Sequence, residues 1–185
     1  PHTESTLDRI SREEVVLAVQ DTTSLNYTAH PATQDLGPIG YRLDRGIGLM
    51  LHSTLAFNRE GTPLGLLDVQ CWARDAKDFG KKKRRHSVPI EQKESYRWLV
   101  SFRKVAEAQK RCPKATLVSV GDREADIYEL LAMVLSDPSG AKLLIRAEQD
   151  RLLAEGQGHL WEKMAREEGV GIQEIQVPRQ NNRRA

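Results

Sequence analysis

The run Val15-Val16-Leu17-Ala18-Val19-Gln20-Asp21 decides the fold class. It is short, β-branched and apolar, the pattern of a strand covered on both faces in the middle of a sheet, and it ends on an acid, Asp21. A long polar loop follows, with Pro31, Gly37, Pro38 and Gly40 along it. Ile47 to Phe57 and Leu64 to Cys71 are predicted strands, joined as a hairpin by Asn58-Arg59-Glu60-Gly61. Glu91 to Arg111 is predicted to be helical, because Trp98, Leu99, Phe102, Val105 and Ala106 recur at helical spacing and Pro113 stands just beyond. Leu117 to Val120 reads as another buried strand, ending at Asp122. Asp126 opens a second helix with the capping pattern Asp126-x-x-Glu129, running to Asp137-Pro138. Leu143 to Arg146 is a fifth strand, His159 to Glu168 a short helix, and Gly171 to Val177 alternates like a strand. Residues 1–14 are polar and read as a lead-in with one helical turn around Ser11 to Glu14.

This order, a strand, a hairpin of two strands, helix, strand, helix, strand, implies an α/β fold: a mixed sheet with flanking helices. Three meandering strands followed by parallel strands separated by helices is the layout of ribonuclease H-like domains, and residues 15–170 are expected to form part of one. The 185 residues, 39% of them hydrophobic, suffice for one substantial core. No apolar run approaches the roughly 18 residues that a membrane helix needs, and PHTESTLDRI lacks the apolar centre of a signal peptide. Cys71 and Cys112 are too few for a disulfide framework, so a reducing cytoplasm is the expected location. A first residue other than Met and the polar ending NNRRA lead to the expectation of a fragment.

Lys and Arg number 28 against 26 Asp and Glu, a net charge of only +2, so the charge is informative by position rather than by sum. Lys81, Lys82, Lys83, Arg84 and Arg85 form one unbroken cationic run, suited either to phosphate contact or to plain solvation. Asp21 and Asp122 each end a buried strand. If those strands are parallel neighbours, their ends lie about 4.8 Å apart, and the two carboxylates would repel each other without a cation. Two Mg²⁺ or Mn²⁺ ions about 3.5–4 Å apart would neutralise them and serve the attacking and leaving oxygens of a phosphodiester. The structural alternatives are a turn started by Asp21-Thr22-Thr23-Ser24 and a helix cap at Asp122.

Three stretches carry a resemblance: Val19-Gln20-Asp21-Thr22-Thr23-Ser24-Leu25, Gly65-Leu66-Leu67 to Trp72, and Val120-Gly121-Asp122-Arg123-Glu124-Ala125-Asp126-Ile127. In order along residues 15 to 178, the chain resembles cut-and-paste bacterial transposases of the DDE type, in particular the insertion-sequence-four group. The resemblance implies a ribonuclease H-like catalytic core, Mg²⁺ (or Mn²⁺) as cofactor, double-stranded DNA (transposon ends and target) as partner, and a homodimer of the full-length protein. It carries two of the three catalytic acids onto Asp21 and Asp122, and a position near the DNA onto Arg146. The third acid is a Glu in the motif Tyr-x-x-Arg-x-x-x-Glu-x-x-x-x-x-x-Lys. None of Tyr27, Tyr41, Tyr96 or Tyr128 is followed by Arg three positions later. In that family the Glu comes after a β-rich insertion, which residues 171–185 would begin.

The remaining candidates read as structural. Glu124 starts a helix or supports the site, Asp126 is the expected N-cap, and Trp72 and Trp98 are core aromatics. His30, His52, His86 and His159 lack paired metal-ligand spacing, and Gly46-Ile47-Gly48 lacks the rest of a phosphate loop. The activity that the resemblance implies is metal-dependent phosphoryl transfer on DNA, which this piece alone is expected not to carry out because the third acid is missing. The alternatives are a DNA-binding or assembly module without catalysis and a small-substrate phosphohydrolase, the latter disfavoured by the missing phosphate loop.

Overall fold

A computed structural model describes residues 2–40, 46–76, 88–154 and 156–175. The chain divides into two compact units, Pro1–Glu148 and Gln149–Ala185. The first unit is a mixed α/β structure: α1 (His2–Ile10), β1 (Val15–Asn26), β2 (Gly37–Pro38), β3 (Ile47–Phe57), β4 (Pro63–Trp72), α2 (Tyr96–Arg111), β5 (Thr116–Gly121), α3 (Tyr128–Ser136) and β6 (Lys142–Ile145). The six strands form one sheet, ordered β2-β3-β1-β5-β6, with β4 also paired to β3. β1, β3 and β4 are antiparallel neighbours, whereas β1, β5 and β6 run parallel. The change of strand direction falls between β3 and β1, and α2 makes the crossover from β4 to β5.

Alternation along the strands separates two faces. Val16 and Ala18 of β1, Ala56 of β3 and Leu117 of β5 point to one side and are buried. There they join Trp98, Leu99, Phe102 and Val105 of α2, Leu7 and Ile10 of α1 and Leu130 of α3 in a single core. On the other side Leu17, Val19, Val118 and Val120 are only half-buried, and Leu66, Val69 and Leu144 are exposed. The expectation that the VVLAVQ strand is covered on both faces therefore holds for one face of the described residues.

The expected lead-in is a helix. Thr6, Leu7 and Ile10 of α1 are buried against the core, and the Arg9 guanidinium donates to the Leu64 carbonyl of β4. Its three inward positions are spaced too sparsely in a polar segment to stand out as a periodic pattern. The hairpin turn forms as expected: the Gly61 amide donates to the Asn58 carbonyl and the Asn58 amide to the Thr62 carbonyl. The two expected helices begin later than foreseen, behind short 3₁₀ turns at Ile90–Gln92 and Arg123–Ala125. Asp126 caps neither; its Oδ2 instead accepts the Glu148 amide at 2.7 Å, and Ile127 stands at the start of α3 without a side-chain cap. The charge of Asp126 is thus spent on tying the segment after β6 to the turn after β5.

In the second unit, α4 (Leu160–Arg166) follows a single bridge between Leu152 and His159, and Asp150 accepts the Trp161 amide. Gly171 to Ile175, expected to be strand, has no ladder among the described residues. Val170, Ile172 and Ile175 are exposed, so the alternation there lacks the neighbouring strand that would satisfy its backbone. No helix of the described residues is long and apolar enough to cross a membrane.

Two glycines of the hairpin make different demands. Gly65 has φ of +138°, and a β-carbon there would stand 2.3 Å from the Thr6 hydroxyl of α1. Gly61 has φ of +83° and open space around it. Gly65→Ala should cost about 2–4 kcal/mol of unfolding free energy, from backbone strain plus displacement of α1. Gly61→Ala should cost about 1–2 kcal/mol, from strain alone. Urea denaturation of both variants checks the difference.

Candidate functional site

β1 and β5 pair in parallel from Val15 opposite Thr116 to Val19 opposite Val120, and there the ladder stops. β1 does not end at Asp21, as its sequence suggests. It continues to Asn26 because β3 stays paired with it, with Asp21 opposite Ser53 and Asn26 opposite Gly48. β5 ends instead: after Gly121 the chain turns through Arg123–Ala125, and a β-carbon on Gly121 would come within 2.6 Å of the Ala125 side chain. One strand running on while its neighbour turns away opens a fork at the carboxyl ends of parallel strands, where ligand crevices of α/β sheets lie.

The register carries the acids into that fork. Asp21 is two residues beyond Val19 and Asp122 two beyond Val120, so they stand in the same row of adjacent strands. Both are exposed. In β6, Leu144 pairs with Val120, and the Arg146 amide donates to the Gly121 carbonyl at 3.2 Å. Arg146 thereby occupies the next place in that row. Asp122 keeps an extended backbone, and its Oδ1 accepts the Glu124 amide at 2.8 Å, so the capping alternative is realised on one carboxylate oxygen.

Beneath the row runs a chain of hydrogen bonds through the covered face of the sheet. Gln20 Nε2 donates to Ser119 Oγ at 2.6 Å, which turns Gln20 Oε1 toward His52 Nε2 at 3.3 Å. That nitrogen carries the imidazole proton, leaving His52 Nδ1 to accept from the Thr22 hydroxyl at 2.8 Å. Thr22 Oγ1 in turn accepts from Arg97 Nε at 2.9 Å, and Arg97 Nη2 meets Glu124 Oε2 at 2.6 Å. Donors and acceptors alternate along this chain with a neutral His52. Burial, with the Arg97 charge nearby, pushes the His52 imidazole down from its ordinary 6.5 to about 4. Its ring also meets Trp98 edge to face, with centroids 4.6 Å apart.

Arg97 lies over the rings of Trp72 and Trp98, 5.8 and 5.7 Å from their centroids. Burial pulls its guanidinium below the usual value against the opposing pull of Glu124 and Glu94. Trp72 is half-buried rather than a core aromatic, and its indole N–H reaches Glu94 Oε1 at 3.4 Å. The fork to Glu94 is closed by Arg74, through Nε at 2.6 Å and Nη2 at 2.9 Å. Burial raises the Glu94 carboxyl, but the Arg74 contacts outweigh it and hold that group below its ordinary range.

The structure thus brings together Asp21, Asp122 and Arg146. The cationic run Lys81, Lys82, Lys83, Arg84 and Arg85 lies outside the described residues. Gln20, Thr22, His52 and Arg97 were not singled out as site residues by their sequence context. The available signal was polar residues at inward-facing positions of apolar strands: Gln20 in VVLAVQ, His52 in β3 and Ser119 in LVSV. Two exposed carboxylates are hard oxygen donors, the chemistry that suits Mg²⁺ or Mn²⁺. Among the described residues no group of three or more His, Cys, Asp or Glu side chains converges to hold a metal ion.

The buried imidazole makes stability depend on pH. The unfolded chain takes up a proton near pH 6.5, whereas folded His52 resists until about 4. The unfolded state therefore binds more protons between these values, and stability falls as pH drops through that window, by on the order of 3 kcal/mol. Urea midpoints across that range should show this loss in the unmodified protein, and His52→Gln should flatten the slope.

Compared with known proteins, the chain matches no protein-family model and no curated sequence.

Proposed function

We propose that this chain is part of the catalytic core of a DNA transposase of the DDE type, built on a ribonuclease H-like sheet and acting by metal-dependent phosphoryl transfer on double-stranded DNA. One observation carries the reading: Asp21 and Asp122, 101 positions apart in sequence, arrive in the same row of adjacent parallel strands where the ladder between them opens. Asp21 and Asp122 would hold Mg²⁺ or Mn²⁺. Such ions, when bound, activate the attacking oxygen and stabilise the leaving one in transfer at a phosphodiester. Arg146, next in the row, offers a guanidinium for a phosphate beside the scissile bond. The run Lys81 to Arg85 supplies sequence-independent phosphate contacts. The third acid and a homodimeric partner belong to the same proposal. A second reading, a DNA-binding or assembly module without cleavage, is favoured by the two-carboxylate set, one ligand short of the family's three.

Calorimetric titration tests the pair. Mn²⁺ should bind weakly to the unmodified protein, and Asp21→Asn or Asp122→Asn should each abolish the binding. Because Asn caps about as well as Asp, the Glu124 turn survives in Asp122→Asn, whereas Asp122→Ala should lose about 0.5–2 kcal/mol. Mn²⁺ should raise the melting temperature of the unmodified protein alone. Binding that persists in both Asn variants would overturn the reading.

The DNA-binding half of the proposal rests on a different measurement. Replacing Lys81, Lys82, Lys83, Arg84 and Arg85 by Ser should weaken duplex binding equally for all sequences and flatten its dependence on salt. Fluorescence anisotropy at several salt concentrations reads both quantities, and an unchanged slope would assign the run to solvent.

A further inference from the structure

Arg97 touches both arms of the fork. Nε donates to Thr22, the residue after Asp21 on β1, at 2.9 Å. Nη2 meets Glu124 at 2.6 Å, and the amide of that same residue donates to Asp122. Nη1 donates to the Glu94 carbonyl at 2.9 Å, so every guanidinium nitrogen is committed. The rings of Trp72 and Trp98 lie against the group, and only 11% of the side chain is exposed. A planar group held by three differently directed hydrogen bonds and two rings has little freedom to rotate or slide.

The fork needs such a brace. Past Val19 and Val120 no backbone ladder joins β1 to β5. The acids just beyond are like charges, and a side chain that joins the two strand ends helps to fix their separation. We propose that Arg97 is a positioning residue for the Asp21 and Asp122 pair: it braces the two strand ends through Thr22 and Glu124, and so sets the affinity of the pair for a divalent cation while touching neither carboxylate. The inference rests on the metal-pair reading of those two acids. It extends that reading to a residue on α2, which the sequence marks only as a position in an amphipathic helix. Lysine cannot replace the fork, because an ammonium is a point charge that does not present two fixed donors to two segments.

The test is a titration with Mn²⁺ alone, read by the electron paramagnetic resonance signal of the free ion, with melting curves in chelator recorded alongside. Arg97→Lys should weaken Mn²⁺ binding by about ten-fold or more, the range expected for a residue that orients metal ligands. Thr22→Val and Glu124→Gln each remove one arm of the brace and should give smaller losses. Adding Glu124→Gln to Arg97→Lys should cost little more, because the arm is already gone. Glu124 is 58% exposed in its side chain, so its variant folds even if Arg97→Lys does not. A purely structural Arg97 would lower the melting temperature and leave Mn²⁺ affinity unchanged in all three single variants. That result, with binding still abolished by Asp21→Asn, overturns the brace and keeps the metal pair. Absence of Mn²⁺ binding that depends on Asp21 and Asp122 overturns both.

Discussion

The five-residue parallel pairing of Val15–Val19 with Thr116–Val120 is the constraint on which the rest of this structure depends. It joins segments on either side of the whole hairpin and of α2. Such a contact carries a large loop-closure cost, and its compensation is the apolar row that both strands turn toward α2. Once it forms, several placements follow without further choice. The antiparallel hairpin can lie only on the free side of β1, and β6 only on the free side of β5. The crossover through α2 covers the face where Val16, Ala18 and Leu117 are buried. The same pairing also ends early, and that gives the sheet its fork.

Polar groups beneath the fork are costly; three of them answer one another, whereas Thr54 Oγ1 and Trp98 Nε1 on the same face have no hydrogen-bond partner among the described residues. Gln20, His52 and Ser119 are buried on a face otherwise filled by aliphatic and aromatic side chains. An unpartnered amide, imidazole or hydroxyl there would cost about 1–3 kcal/mol. Hydrogen bonds linked in one direction from Arg97 to Ser119 avoid that penalty and fix the orientation of each member. Because every group has a single role as donor or acceptor toward the next, altering one alters the options of its neighbours. The network therefore ties β1, β3, β5 and α2 together more specifically than apolar packing alone, which tolerates exchange of shapes.

How much of this was legible in the sequence follows from what kind of interaction sets each feature. The apolar runs around Val15, Ile47, Leu64 and Leu117 announced strands because burial writes directly into residue type. The Asn58–Gly61 turn was legible because Gly61 needs positive φ. The equal depth of Asp21 and Asp122 came through as well, since parallel neighbours in register place residues level with one another, although only β5 ends there. The true end of β1 was hidden, because its last residues are held by β3 rather than by their own hydrophobicity. The role of Asp126 was hidden too: the capping pattern is local, but its carboxylate answers Glu148, across a helix and a strand. Arg97 looked like any polar position on an amphipathic helix; its hydrogen bonds to Thr22 and Glu124 and the packing of Trp72 and Trp98 around it, all made in the folded chain, distinguish it.

The common row of Asp21, Asp122 and Arg146 has a consequence for how such a chain tolerates change in length. Residues gained or lost in the connections between these strands alter only loop length, and the alignment of the row survives. A single residue gained or lost inside Leu117 to Asp122 is different. With side chains alternating, it would turn Asp122 toward the covered face, against Trp98 and Ala125, and send a core residue outward. The functional alignment and the integrity of the core are therefore protected by the same arithmetic. Drift in the short strands is penalised twice, while the long segments between them are left free to diverge.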